Sequence, residues 1–363
     1  MLLSELTASV RRLALVGLAK NTGKTVTLAA LLRELESEGR LIGVTSVGRD
    51  GEERDVIDVR IEKPRVNLWA GSLVATTDGL LSVSGVSHTV LESTGVRTPL
   101  GRVLIARLRD RGAIEVAGPS AAEDVRAVGD AMLGHGAEQV LIDGAIDRRA
   151  ASSPAVTDGL VMSTGAVLGD ELGEVVSRTR DAVEVVRLPE LEDPRLRVLA
   201  EQAQSGDGDG RGAAVLVGED YEPAALAPRF VLTSEPEQIA ATLQANPPAR
   251  WLIVPGALPE AFMQGLLRAR RGQEGPLGLV VADSTRVFLS ERGPGWYARQ
   301  GLEIRTLRST ALEAITVNPL APQSHSFDSV RLRAALGEAI DDVPTFDVLH
   351  PDYLSLERTA PPA

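Results

Sequence analysis

Cysteine is absent from this chain of 363 residues. Without thiols the chain cannot form a disulfide, and it cannot supply a cysteine nucleophile, an iron–sulfur cluster or a zinc–thiolate site. The four histidines are scattered without the four-residue spacing of a metal-binding helix. These absences argue against a metal centre built from sulfur or imidazole ligands.

Positive charge and long apolar runs are also scarce. The chain has 38 Lys and Arg residues against 50 Asp and Glu residues, a net charge of -12. Such a chain offers no large basic face to nucleic acid or to an anionic membrane. No apolar run reaches the roughly 18 residues of a membrane helix, and a glutamate interrupts the opening stretch MLLSELTASVRR, where a signal peptide would stay apolar. We therefore expect a cytoplasmic protein that binds neither nucleic acid nor membrane.

Aromatic residues make up 3% of the chain, so its core must be mainly aliphatic. Short apolar segments alternate with helical patterns, which predicts βαβ units and a mostly parallel sheet. The predicted strands lie at 13–17, 41–47, 103–106, 139–142, 159–162 and 182–187, and later in AAVLVG, RFVLTS, WLIVPG, LGLVVAD, LEIRTL and LEAITVNP. PEQIAATLQA and PEAFMQGLLRARR predict helices.

The most informative stretch is ALVGLAKNTGKTVTLAALL, at 14–32. It begins as an apolar strand, passes through Gly23-Lys24-Thr25, and continues with leucines spaced for one face of a helix. In a strand, glycine loop and helix of this kind, backbone amides and the lysine bind phosphates while the threonine hydroxyl binds Mg²⁺. A coincidental strand, turn and helix is the alternative. The nucleotide-binding residues we predict are Gly17, Lys20, Asn21, Thr22, Gly23, Lys24, Thr25 and Val26.

The stretch AQSGDGDGRG, at 203–212, breaks the alternation and predicts a flexible linker, with a surface loop inside one domain as the alternative. The predicted fold class is therefore α/β. A P-loop nucleotide-binding domain with a mostly parallel sheet occupies 1–202, and a second α/β domain, a candidate for partner binding, occupies 213–363.

The spacing G-x5-G-K-T from Gly17, followed by V-x-L, resembles the loop of dethiobiotin synthetase and its P-loop relatives, a class that includes MinD-like NTPases. The signature lysine of the dimeric ATPases in that class would fall at Ala19, so Lys20 is not given that role. Lys20 either adds charge at the phosphates or is a solvated loop lysine. GTP enzymes of this class usually carry N-K-x-D or T-K-x-D, which is missing here, so ATP is the expected nucleotide.

Carboxylates should complete the site, because Mg²⁺ on a triphosphate takes one or two of them. Asp143 ends an apolar strand in QVLIDGAIDRRA, and ligands collect at the carboxyl ends of parallel strands. Asp50 and Asp55 lie in VGRDGEERD; similar P-loop proteins use an aspartate here to position water or to touch magnesium through water. A solvated turn is the alternative, and we favour Asp50 over Asp55. The predicted metal site is Thr25, Asp50 and Asp143, with Lys24 and Asp50 as the catalytic residues.

Several segments together resemble the P-loop reactivase subunit associated with adenosylcobalamin-dependent lysine 5,6-aminomutase. They include GLAKNTGKT, TSVGRDGE, EKPRV, TGVRTPLGRV, AGPS, LIDGAIDRRAASSP, TDGLVMSTGA, AITVNPLAPQSHSFD and PTFDVLHP. The loop APQSHSFD lacks a glycine expected in this segment. The resemblance implies a Mg²⁺-dependent ATP hydrolase that helps to restore a cobalamin enzyme, with a second reactivase subunit or the mutase itself as partner.

Two other functions remain open on the sequence. One is an ATP-dependent ligase of the dethiobiotin-synthetase kind, although VGRDG has no lysine where that enzyme needs one and the chain is much longer than such an enzyme requires. The other is a nucleotide-gated binding protein that scarcely hydrolyses ATP. The oligomeric state is open as well, a homodimer included.

Overall fold

The computed structural model describes residues 1–48, 65–145, 152–205, 213–226, 230–245, 249–271, 275–322 and 325–359. The chain divides into two compact units, which are 1–179 together with 310–363, and 180–309. Within the described ranges, no helix is both long enough and apolar enough to cross a membrane.

The first unit is an α/β structure on a large, mostly parallel sheet. In chain order its strands are β1 (Arg12–Gly17), β2 (Ile42–Ser46), β3 (Val66–Leu68), β4 (Leu73–Thr77), β5 (His88–Thr98), β6 (Gly101–Leu108), β7 (Gly112–Ile114), β8 (Gln139–Ala145) and β9 (Gly159–Gly165). Two more come from the end of the chain, β17 (Ala311–Asn318) and β18 (Thr345–Phe346). Nine of them form one sheet in the order β18-β17-β9-β1-β8-β2-β4-β6-β5, and β3 pairs separately with β7.

The strands from β18 to β4 in that order run parallel. The last two pairings, β4 with β6 and β6 with β5, are antiparallel, so β6 alone runs against the other strands of this sheet. The helices of this unit are α1 (Leu3–Leu6), α2 (Lys24–Ser37), α3 (Asp78–Val83), α4 (Ala122–Gly134), α11 (Ser329–Ala339) and α12 (Pro351–Thr359), and α5 (Leu172–Val186) extends from it into the second unit. Every residue of β1 is buried, as expected for a central strand of a parallel sheet covered on both faces.

The second unit is also α/β. Its strands are β10 (Val215–Val217), β11 (Pro223–Ala225), β12 (Trp251–Ile253), β13 (Leu258–Pro259), β14 (Leu277–Val281), β15 (Val287–Phe288) and β16 (Leu302–Thr306). Five form a sheet in the order β11-β10-β12-β14-β16, in which β12, β14 and β16 are parallel. The helices are α6 (Pro194–Gln204), α7 (Phe230–Thr233), α8 (Pro236–Ala245), α9 (Glu260–Ala269) and α10 (Pro294–Arg299).

The two units differ from the domains that the sequence predicts. The expected second domain, 213–363, contains β17, yet β17 pairs in parallel with β9 and belongs to the first unit. The second unit is therefore an insertion between two parts of the first, not a carboxyl-terminal domain. Most of the predicted linker, 206–212, lies outside the described residues.

Two of the predicted strands are wrong. Residues 182–186 of the predicted strand 182–187 lie in α5, where Val175, Thr179 and Val183 are buried at intervals of four residues, the spacing of a helix face. RFVLTS contains α7 instead of a strand. Here Phe230 packs edge-on against Phe262, with ring centroids 5.9 Å apart, and the helical turn buries Phe230 and Val231.

A buried carboxylate joins both ends of the chain to α2. Glu34 accepts a hydrogen bond from the backbone N–H of Ser4 at 2.8 Å and another from the hydroxyl of Tyr353. The same hydroxyl accepts from the backbone N–H of Leu3 at 3.0 Å. Glu34 and Tyr353 are almost fully buried, so these hydrogen bonds satisfy polar groups that are shielded from water.

Replacing Tyr353 by Phe should therefore lower the free energy of unfolding by about 1–3 kcal/mol, because Glu34 and Leu3 each lose a buried partner. Chemical denaturation measures the change. Ser355→Ala is the matched control, since it removes a hydroxyl from an exposed position of the same helix. Equal unfolding midpoints for the two variants would show that the buried network contributes nothing.

Candidate functional site

The glycine loop follows the central strand β1 directly. Gly17 is the last residue of β1, and α2 begins at Lys24. A Cβ on Gly17 would lie 2.7 Å from the hydroxyl oxygen of Thr22, too close for any side chain. Gly23 has φ of 91°, and a Cβ there would meet that of Asn318 at 3.1 Å. The tight turn therefore requires glycine at both positions.

The loop between those glycines presents polar groups outward. Lys20 and Asn21 are exposed, and Asn21 adopts φ of 69°, a left-handed conformation that asparagine tolerates better than most residues. Thr22 is buried, and its hydroxyl donates to the backbone oxygen of Ala19 at 2.9 Å. The N–H of Leu18 donates to the oxygen of Ser163 at 2.9 Å, which joins the loop to the end of β9.

The first turn of α2 carries unsatisfied donors. Among the described residues, the backbone amides of Lys24, Thr25 and Val26 have no hydrogen-bond acceptor, and the side chains of Thr25 and Val26 are exposed. Free amides at a helix N-terminus, together with the helix dipole, attract anions such as phosphate.

Lys24 and Asp143 form an ion pair beside the loop. The ammonium group of Lys24 donates to Oδ1 of Asp143, and the two side chains are 17% and 29% exposed. Asp143 lies near the carboxyl end of β8, in register with Leu15 of β1 and Ser46 of β2. After β1 the chain continues to β2, on one side of β1 in the sheet, while β9 is the neighbour of β1 on the other side. The carboxyl end of β1 is therefore a topological switch point, the place where ligands of open α/β sheets bind.

The two candidate water-positioning residues, Asp50 and Asp55, lie outside the described residues, in the segment 49–64. Asp147, Arg148 and Arg149, which follow Asp143 in the sequence, lie outside them as well. The described site therefore contains Lys24, Thr25 and Asp143 of the predicted catalytic and metal residues.

Strand β17 supplies a neighbour of the loop that the sequence did not reveal. The side-chain amide of Asn318 donates to the backbone oxygen of Asn21 at 2.8 Å. This hydrogen bond holds the loop at Asn21, the residue with the left-handed conformation. LEAITVNP forms a strand, as the sequence predicts. Its position two strands from β1 is not predictable from local sequence, because strand order depends on long-range packing.

A cluster of three buried hydroxyls lies beneath the loop. Thr27 of α2 contacts Thr316 of β17 at 2.7 Å and Ser163 of β9 at 3.2 Å, and Ser163 and Thr316 are 2.8 Å apart. Each hydroxyl is satisfied by the others, as buried polar groups require. The cluster fixes α2 against two strands and so positions the loop.

Replacing Asn318 by Ala should weaken binding of the nucleotide that the sequence predicts at this loop, expected to be ATP, by roughly threefold to tenfold, because a side-chain hydrogen bond contributes about 1 kcal/mol. Titration calorimetry measures the affinity. Asn67→Ala, at an exposed position of β3, is the control and should leave the affinity unchanged. An unchanged affinity for Asn318→Ala would mean that the loop holds its shape without this contact.

The residues present suit a Mg²⁺ ion bound together with a nucleotide. Mg²⁺ prefers oxygen ligands, keeps several waters and takes one or two carboxylates plus substrate phosphates. Thr25 and Asp143 offer a hydroxyl and a carboxylate. Across the described ranges, no cluster of three or more His, Cys, Asp or Glu residues could bind a metal without the nucleotide.

Comparison with known proteins gives no relative: no protein-family model, curated protein or solved structure matches this chain.

Proposed function

We propose that this chain binds Mg·ATP at the glycine loop and hydrolyses it. The observation that carries the proposal is the ion pair of Lys24 and Asp143 beside a helix N-terminus whose first amides have no acceptor among the described residues. A lysine held by a carboxylate at the end of a glycine loop is placed to exchange that partner for the β- and γ-phosphates when nucleotide enters.

The roles follow from the chemistry of each group. Lys24 and the amides of residues 24–26 would bind the phosphates, and Thr25 and Asp143 would hold the Mg²⁺. The bound ion would neutralise charge that develops on the phosphate oxygens. Phosphoryl transfer needs no covalent nucleophile, because positioning and charge stabilisation supply most of the catalysis.

Within this proposal Asp50 positions the attacking water. We expect Asp50→Asn to keep ATP binding and to lower hydrolysis by on the order of 10², the loss of one positioning group. Asp55→Asn is the matched control, because it makes the same change on the same polar segment. Full hydrolysis by Asp50→Asn, with loss in Asp55→Asn, would transfer the role to Asp55. Full hydrolysis by both would remove the role from this segment.

We further propose that hydrolysis serves to reactivate a cobalamin-dependent aminomutase; the support for this role is the resemblance in sequence. Binding and hydrolysis would bias a two-state complex toward release of the damaged cofactor. The test is phosphate release from ATP with and without an aminomutase that carries inactivated cobalamin. We expect stimulation by the mutase together with recovery of its activity. Turnover that instead requires a small amine and bicarbonate would indicate a ligase, and tight ATP binding without turnover would indicate a nucleotide-gated binding protein.

A further inference from the structure

The second unit contains a basic cavity that the proposed function does not use. It has a volume of about 360 Å³ and is lined by residues at the end of α9 and along α10. We call it the arginine pocket and define it by Arg268, Arg270, Arg271, Trp296 and Gln300, with Leu267 as its apolar wall. Among the described residues, no carboxylate lines it.

Two of the three arginines of the pocket have no carboxylate partner among the described residues. Arg268 and Arg271 are exposed and have no carboxylate partner among the residues that the structure describes. The guanidinium of Arg270 is held in place, because it donates to the backbone oxygen of Gly275 at 2.6 Å. Arginines near a helix C-terminus commonly stabilise the helix dipole. That role does not require three guanidinium groups in one cavity of a chain whose net charge is -12.

Trp296 gives the pocket a flat aromatic wall. Its indole is partly buried and packs against the core of this unit, with the ring of Tyr297 edge-on at 5.0 Å. The guanidinium of Arg292 lies over the indole ring, 5.6 Å from its centroid. The contacts with Tyr297 and Arg292 hold the indole in place.

We propose that the arginine pocket binds a small organic phosphate that carries an aromatic ring, such as a mononucleotide. Guanidinium groups match the geometry of phosphate oxygens through paired hydrogen bonds, and an indole provides a surface on which a base stacks. The cavity falls within the range of about 300–1,000 Å³ that is typical of small-molecule sites. This inference does not rest on ATP binding at the glycine loop.

The test uses AMP as the probe and the fluorescence of Trp296 as the readout. The full chain carries Lys24→Ala, to remove phosphate binding at the glycine loop, and Trp69→Phe with Trp251→Phe, which leaves Trp296 as the single tryptophan. We expect a saturable fluorescence change with AMP, and weaker binding of adenosine and of inorganic phosphate by roughly tenfold each. Calorimetry on the chain that keeps all three tryptophans gives the affinity should the triple variant fold poorly.

Two double arginine variants, one inside the arginine pocket and one outside it, test whether AMP binds in the pocket. Arg268→Ala with Arg271→Ala should weaken AMP binding by roughly tenfold or more, because each removes a charge-assisted contact. Arg286→Ala with Arg299→Ala removes the same charge from exposed positions outside the pocket and should leave the affinity unchanged. Three outcomes would overturn the proposal: no saturable AMP binding, equal weakening in both double variants, or inorganic phosphate or an acidic peptide binding as tightly as AMP.

Discussion

Replacing Lys24 by Ala should weaken ATP binding by on the order of 10² or more, as measured by titration calorimetry in the presence of Mg²⁺. The variant loses a cation that the first turn of α2 places beside Asp143 and next to the free amides. No other lysine or arginine of the described residues contacts Asp143, so no neighbouring cation replaces it. The loss should appear for ATP and ADP alike, because both carry a β-phosphate.

Lys20→Ala is the comparison for that experiment, and it decides between the two interpretations of Lys20, a phosphate contact or a solvated loop lysine. It removes the same charge from the same loop, at an exposed position that makes no ion pair with a described residue. An exposed charge of this kind contributes little, so we expect a change of at most about threefold. Equal losses in the two variants would contradict a specific role for Lys24 and would indicate a diffuse effect of loop charge.

Asp143→Asn should keep ATP binding and lower Mg²⁺-dependent hydrolysis by on the order of 10². The amide keeps the shape of the side chain and removes the negative charge that pairs with Lys24 and that would support the metal ion. Because Lys24 then loses its partner in the nucleotide-free protein, ATP affinity without Mg²⁺ should stay the same or rise. Phosphate release as a function of Mg²⁺ concentration measures the first effect, and calorimetry in EDTA measures the second.

Asp110→Asn provides the comparison for Asp143→Asn. Asp110 is an exposed residue of the same unit with no ion pair to a described residue, so its loss should change neither binding nor hydrolysis. Hydrolysis by Asp143→Asn at the wild-type rate would show that Asp143 does not support the metal ion. The proposed site would then lack the carboxylate that we assign to it beside Lys24.

The part of the fold around the loop could be predicted because its signals are local. The apolar strand β1, the glycine turn and the leucine face of α2 follow one another within 26 residues, 12–37. Strands β8 and β9 were also found, since a strand buried on both faces is a short apolar run. The same pattern, a short apolar run, led to the wrong prediction of a strand at 182–187, because valines at helix spacing resemble a short strand.

The contribution of β17 could not be predicted because it depends on distant parts of the chain. LEAITVNP would read as a buried strand in any α/β sheet, and only its pairing with β9 brings Asn318 to the loop. Likewise β5 was missed, because as the edge of the sheet it is only half-buried and carries polar residues along both faces. Local patterns predicted Lys24, Thr25 and Asp143 as candidate site residues, and long-range packing added Asn318 as a neighbour of the loop.

The most direct test of the account is phosphate release from ATP by the wild-type protein and by Lys24→Ala, each with Mg²⁺ and with EDTA. We predict release by the wild-type protein that requires Mg²⁺ and that Lys24→Ala lacks, with ATP preferred over GTP. Two results would contradict it. One is no Mg²⁺-dependent release from folded wild-type protein, and the other is release that persists unchanged in Lys24→Ala.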